Sequence, residues 1–181
     1  MNFRKIVLIT LVVLLFASSS IAHAQREKMA VNLGGLLIGI VGVEYEERLG
    51  SNFSYILELS SWQLNNVYYN DVYYNSISNA GVGIGNRFYP GHNALNGIYF
   101  DSALIISMMN TRRGRMQEDG VRFSSGLSIG HQWVIPGWFT ADIGYGVILP
   151  IFSIYSDDHS TMSQFGGSIG NNLKFSIGYA W

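Results

Sequence analysis

The stretch from Ser168 to Trp181, SIGNNLKFSIGYAW, separates into two unlike sets when every second residue is taken. Ile169, Asn171, Leu173, Phe175, Ile177, Tyr179 and Trp181 form one set; Ser168, Gly170, Asn172, Lys174, Ser176, Gly178 and Ala180 form the other. Successive side chains of a strand point to opposite faces, so the stretch predicts a β-strand with one apolar and one small, polar face. The apolar face suits lipid, and the other suits a narrow interior.

The same alternation recurs upstream in the segments 139–151, 121–133, 98–108, 80–88, 53–60 and 41–46. In the first of these, Phe139, Ile143, Tyr145, Val147 and Leu149 oppose Thr140, Asp142, Gly144 and Gly146. An eighth strand is expected near 27–33. The connections alternate in character: 49–52, 90–96 and 136–137 are short, whereas 65–76, 110–120 and 153–167 are longer and polar. Short periplasmic turns, long outer loops and an even strand count are the expected plan of an outer-membrane barrel. Pro90, Pro136 and Pro150 fall at predicted strand ends, where a missing N–H is tolerated. The fold class is therefore all-β, an eight-stranded antiparallel up-and-down transmembrane β-barrel.

The chain opens with Arg4 and Lys5, an unbroken apolar run from Ile6 to Phe16, and a small-residue site at Ala22-His23-Ala24. That order marks a secretory signal peptide over 1–24, leaving 25–181 as one barrel domain. Its apolar run is shorter than the roughly 20 residues a helical span needs. With no cysteine, the exported domain has neither a disulfide framework nor a site for lipid attachment. A net charge of −1 offers no electrostatic footprint for nucleic acid. Only 13% of residues are charged and 14% are aromatic, so the chain needs an apolar surrounding for its surface. A water-soluble barrel shares the period of two, but it would carry Lys, Glu and Asp on the face opposite the apolar one. Here that face is mostly Gly and Ser.

Aromatics gather beside the short turns: Tyr45, Phe53, Tyr55, Phe88, Trp133, Phe139, Tyr179 and Trp181 would form a periplasmic girdle, with Trp62 and Phe123 candidates for the opposite one. The whole length after residue 24 resembles the small outer-membrane barrels typified by the outer membrane protein A transmembrane domain and the X-type adhesion barrels. The stretches VNLGGLLIGIVGVEYEERL, GNRFYPG and IGHQWVIPGWFTADIGYGV are similar to barrels of unknown function common in Bacteroidetes-like bacteria. The resemblance implies a place in the bacterial outer membrane among its lipid and lipopolysaccharide. It also implies Trp181 as a signal to the outer-membrane assembly machinery.

On this register the inward face collects Glu44, Glu46, Arg48, Glu58, Arg87, Asp101, Arg122, Asp142 and Lys174. An eight-stranded barrel is just wide enough for side chains to fill it. Charges confined there must pair, because an unpaired buried charge is costly. The near balance of signs favours a salt-bridge lattice that plugs the lumen over a narrow ion path.

The remaining candidates are weaker. His131 lies on the apolar face, as does the catalytic histidine of barrel lipid A deacylases, but no serine follows two residues on, and a general base needs a nucleophile in reach. The run Ser156 to Thr161 holds Asp157, Asp158 and His159, yet adjacent residues seldom converge on one metal or hydrolytic site. Arg112 to Arg115 (RRGR) offers charge to lipopolysaccharide phosphates, and His92 has no partner pattern.

Tyr68, Tyr69, Tyr73 and Tyr74 lie in a repeated Val-Tyr-Tyr-Asn unit. Tyrosine with asparagine offers rigid contact area plus adaptable hydrogen bonding for a glycan or protein ligand. Equally, the tyrosines would pair across two strands of a β-extension. The expected role is non-enzymatic, without cofactor or metal: structural, or surface-binding and adhesive through the outer loops. A small pore is the alternative, and a lipid-modifying enzyme a more distant one.

Overall fold

The computed structural model describes residues 26–33, 40–69, 72–114, 116–135, 138–156, 161–165 and 169–181. The expected signal peptide lies outside them, as do Arg115, Pro136, Asp157, Asp158, His159 and Ser160. Among the described residues the chain forms nine strands: β1 (Glu27–Asn32), β2 (Ile40–Arg48), β3 (Phe53–Tyr69), β4 (Val72–Phe88), β5 (Gly97–Arg113), β6 (Met116–Ile135), β7 (Phe139–Ser156), β8 (Thr161–Phe165) and β9 (Gly170–Ala180). Every pairing is antiparallel. β9 joins β1 through Met29↔Tyr179 and joins β7 through Ile143↔Phe175. β8 lies against the same edge of β7 further along, through Tyr155↔Met162. β8 and β9 are thus two pieces of one stave, and the sheet closes as a ring of eight staves with no free edge along its lower half.

Both chain ends meet at one end of this barrel, where the Arg26 and Glu27 amides donate to the Trp181 carbonyl at 2.7 and 3.0 Å. We call this the near end. It carries the three short connections, from β2 to β3, β4 to β5 and β6 to β7.

The alternation of sequence becomes an alternation of exposure. Ser54, Ile56, Gly83, Gly85, Arg87, Asp142 and Ser176 are buried inside, while their neighbours Phe53, Val82, Ile84, Ile143 and Phe175 stand out on the exterior. The exterior apolar belt runs along β3 to β7 and β9. Leu104 is 60% exposed, Met108 70% and Leu173 66%, so most of each side chain is left uncovered. The aromatic girdle sits on this outer face beside the near end. Trp138, Tyr179 and Trp181 form a ladder with ring centroids 5.7 and 5.8 Å apart.

Five sequence expectations are corrected. The segments 65–76 and 110–120 are not loops but continuations of strands, paired as far as Tyr69↔Val72 and Arg113↔Met116. The Val-Tyr-Tyr-Asn repeat causes the first of these extensions, since it brings Val67 opposite Tyr74 and Tyr68 opposite Tyr73 across a tight hairpin. Part of the third expected loop is likewise taken up as β8.

Pro150 is inside β7 rather than at its end. Ser124 pairs with Pro150 and Phe123 with Phe152, so Ile151 is an extra residue and the strand bulges. A bulge is one of the few strand positions that tolerates a residue without an N–H. Beyond it the parity of β7 inverts, and Ser153 rather than an even-numbered residue turns inward. Trp62 shares the parity of Ser54 and Ile56 and lies on the inward set, not in an outer girdle.

Candidate functional site

The near half of the lumen is filled by one ionic cluster centred on Arg87, which is 0% exposed. Its guanidinium meets Glu46 Oε2 at 2.8 Å, Glu44 Oε2 at 3.1 Å, Asp101 Oδ2 at 3.2 Å and Asp142 Oδ2 at 3.6 Å. It also donates to Gln132 Oε1 at 3.0 Å and lies 4.0 Å above the centre of the Tyr99 ring, a cation–π distance. Lys28 Nζ reaches Glu44 Oε1 at 2.6 Å, Glu46 Oε2 at 2.8 Å and Gln132 Oε1 at 2.6 Å. Lys174 pairs with Glu44 and, at 3.3 Å, with Asp142.

Hydroxyls add to the carboxylate shells, although Asp142 Oδ2 has ion-pair neighbours but no hydrogen bond among the described residues. Ser54 and Tyr89 donate to Glu46 Oε1 at 2.5 and 2.7 Å, Tyr99 to Asp142 Oδ1 at 2.7 Å, and Ser128 to Asp101 Oδ1 at 2.5 Å. Every one of the eight staves supplies at least one of these groups. Four carboxylates and three cations, each multiply bonded, satisfy the condition under which buried charge is tolerated.

The near mouth is sealed by the turn between β4 and β5. Tyr89, Ala94 and Leu95 fold back under the barrel and are fully buried. The Leu95 carbonyl accepts from Gln132 Nε2 at 2.7 Å, and the Ala94 amide donates to the Ser51 carbonyl at 2.8 Å. Turning inward in so few residues places His92 and Leu95 at φ 57° and 74°, in the left-handed region that a bulky residue rarely enters. Burial, and after it the Glu46 carboxylate, push the Tyr89 phenol above its ordinary range, so it stays a proton donor.

The predicted lumen residues divide. Glu44, Glu46, Arg87, Asp101, Asp142 and Lys174 are brought together. Arg48 is not among them: it sits at the β2–β3 turn, where its Nε donates to the Gly50 carbonyl at 2.9 Å. Arg122 lies towards the far end, bonded to Tyr155 Oη at 2.8 Å and to Ser153 Oγ at 3.4 Å. Glu58 faces inward but forms no ion pair or hydrogen bond among the described residues.

Sequence reasoning missed Lys28, on the short strand β1, and the plugging role of Tyr89 and Leu95. Two apolar side chains in an otherwise polar turn were the available signal. It also read Gly130 and Gly144 simply as small. They are glycines because the Tyr99 hydroxyl lies 2.3 and 2.6 Å from where their Cβ atoms would be.

Elsewhere, Tyr73 Oη donates to Asn66 Oδ1 at 2.8 Å in the far extension, and Tyr74 is half-buried there; Tyr68 and Tyr69 are placed by pairing only. His131 stacks on Trp133 at 4.3 Å on the outer face, and among the described residues its Nδ1 has no hydrogen-bond partner. Nδ1 of His92 lies 2.9 Å from Asn52 Oδ1. Among the described residues no group of three or more His, Asp or Glu is placed to hold a metal ion.

Fold and site together define a class: a small, closed, antiparallel β-barrel with a plugged lumen and an apolar exterior. No family model matches the sequence, and no curated protein matches it.

Proposed function

We propose that this chain is an exported outer-membrane barrel whose role is structural and adhesive, exercised through the strand extensions at its far end. The observation that carries the reading is the exterior belt. The half-exposed Ile, Leu, Phe and Met side chains along β3 to β7 and β9 make a broad apolar surface, and hydrocarbon is the environment that suits it. The likeness to outer membrane protein A-type, X-type and Bacteroidetes-type barrels belongs to the same reading. So do export by residues 1–24, Trp181 as the mark for the assembly machinery, and lipopolysaccharide around the far end.

The filled near half argues against a pore. The strands argue for a projecting surface: β3 to β5 each have 17 residues and β6 has 20, whereas roughly 9–11 tilted residues cross a bilayer. The surplus stands clear of the membrane as paired β-structure presenting Tyr73, Tyr74 and their neighbours to a glycan or protein ligand.

Fractionation tests the first part. The protein should begin at Gln25 and travel with the outer membrane; an intact Met1 terminus or recovery as a soluble protein overturns it. A glycan and envelope-protein binding screen on the folded barrel tests the second. Binding should fall in the Tyr73→Ala, Tyr74→Ala double variant, and binding indifferent to those changes overturns the adhesive role.

A further inference from the structure

The ladder between β1 and β2 ends on a pair of arginines. The Arg48 amide donates to the Arg26 carbonyl at 2.7 Å, so the two residues stand opposite one another, one step below Glu27↔Glu47. They share the parity of the inward residues Lys28 and Glu46 but lie beyond the packed lumen, at the rim of the near mouth. Like charges directly opposite across a strand pair weaken it. Among the described residues neither guanidinium has a carboxylate within ion-pair distance to relieve this. Glu27 and Glu47 belong to the outward set, where Glu47 Oε2 lies 3.5 Å from the Tyr45 hydroxyl. Glu46, the next inward acid, is held by Lys28 and Arg87.

Beside the pair the rim opens into a cleft of about 380 Å³, lined by Arg26, Arg48, Leu49, Gly50 and Ser51. Arg48 is already set for a ligand. Its Nε donates to the Gly50 carbonyl at 2.9 Å, which fixes the plane of the guanidinium and leaves its two Nη groups for an anion. Such a fork matches a phosphate with two parallel bonds. The turn that supplies this carbonyl is itself tied down, because the Leu49 and Gly50 amides both donate to the Phe53 carbonyl, at 2.9 and 3.2 Å. Leu49 is 64% exposed and gives the cleft an apolar side. One anion shared by both guanidinia turns their repulsion into attraction, and the leucine suits an anion that carries an apolar body. The height of the cleft points the same way. Trp181, the foot of the aromatic ladder, accepts from the Arg26 amide, so the cleft lies level with the girdle that marks headgroup depth.

We propose that the near-end cleft binds an anionic membrane phospholipid, its phosphate held between Arg26 and Arg48 and its glycerol and acyl portion against Leu49. The inference rests on the membrane reading above, but its test examines the cleft alone: recovery as a soluble protein on fractionation would sink that reading whatever the titration shows. The full barrel in dodecylmaltoside micelles is titrated calorimetrically with dihexanoylphosphatidylglycerol, with zwitterionic dihexanoylphosphatidylcholine as comparator and empty micelles as blank. Charge-assisted bonds to two guanidinia predict saturable binding of the anionic lipid, at least about tenfold tighter than the zwitterionic one. Arg26→Gln, Arg48→Gln should remove that preference, and both residues stand outside the Arg87 cluster, so the lumen contacts are kept. Leu49→Ser should weaken the lipid several-fold. Equal affinity for the two lipids, indifference to the arginine changes or to Leu49→Ser, or no saturable binding would each overturn the proposal. So would displacement of the lipid by equimolar inorganic phosphate, which would make the cleft a site for an adventitious ion only. If the double arginine variant does not fold, Leu49→Ser and the phosphate competition still decide.

Discussion

The two halves of the lumen are built from the same alternating strands yet solve opposite problems. Near the chain termini, charges crowd together and every space is taken, down to glycines that admit a tyrosine hydroxyl where a methyl group would be. Towards the far end the inward positions are mostly uncharged, and small side chains such as Ser107, Ser124 and Ser153 are buried there. The contrast teaches that filling an eight-stranded barrel is not automatic. It was achieved here by placing long, multiply bonded side chains at one level and small, mostly uncharged ones at the other.

The largest test of that contrast removes the hub. Arg87→Ala leaves Glu44, Glu46, Asp101 and Asp142 short of a cation, and breaking buried pairs of this kind costs about 3–5 kcal/mol. Its unfolding midpoint in urea should drop sharply, with partial recovery in Arg87→Ala, Glu46→Gln. Arg122→Ala, in the far half, should cost no more than about 1.5 kcal/mol, the scale of a hydrogen bond on a half-buried group. Equal losses from the two arginines would erase the distinction between the halves.

Next in size is a change on the exterior. Ile143 projects outward with Gly144 beside it facing Tyr99, so Ile143→Arg should cost about 2–4 kcal/mol in a bilayer if the belt lies near the midplane. Refolding into vesicles measures it. An unchanged refolding yield would remove the belt from the hydrocarbon.

The smallest effect compares glycines. Gly130→Ala drives a methyl group into the Tyr99 hydroxyl and, at 2.6 Å, the Ile143 carbonyl; overpacking of this sort costs about 1–3 kcal/mol. Gly83→Ala meets nothing closer than 3.4 Å and should fall within roughly 0.5 kcal/mol of the parent, the usual range away from such features. Thermal melting of the two variants side by side sets one half against the other. Similar melting temperatures would mean the near half is less tightly packed than its distances imply.

The staves and their faces were legible in the sequence because a period of two is a local property, readable within any one strand. The partners of Arg87 were not. Which carboxylates it meets depends on how far each strand is staggered against the next, and stagger leaves no mark on a single strand. Lys28 escaped notice because β1 is only six residues long, with too few alternations to assign a face from its own sequence. The far extensions were misread because Asn and Tyr usually signal a loop, whereas here the symmetric spacing of two Val-Tyr-Tyr units about one turn lets the ladder continue. Pro150 misled for a related reason: a missing N–H signals a strand end unless a bulge absorbs it.

The cluster draws its cations from opposite ends of the chain. Lys28, on the first stave, and Lys174, on the last, both grip Glu44, across sequence separations of 16 and 130 residues. The second of these contacts closes a very long loop, so it is among the slowest to form. Until the final stave docks, Glu44 and Asp142 lack one of their cations inside a half-formed wall, and no earlier intermediate can reach the balance of the finished ring. The seam between β1 and β9 is therefore fastened from within as well as along its ladder. An unfinished barrel is marked by an electrostatic debt that only the arrival of the last strand clears.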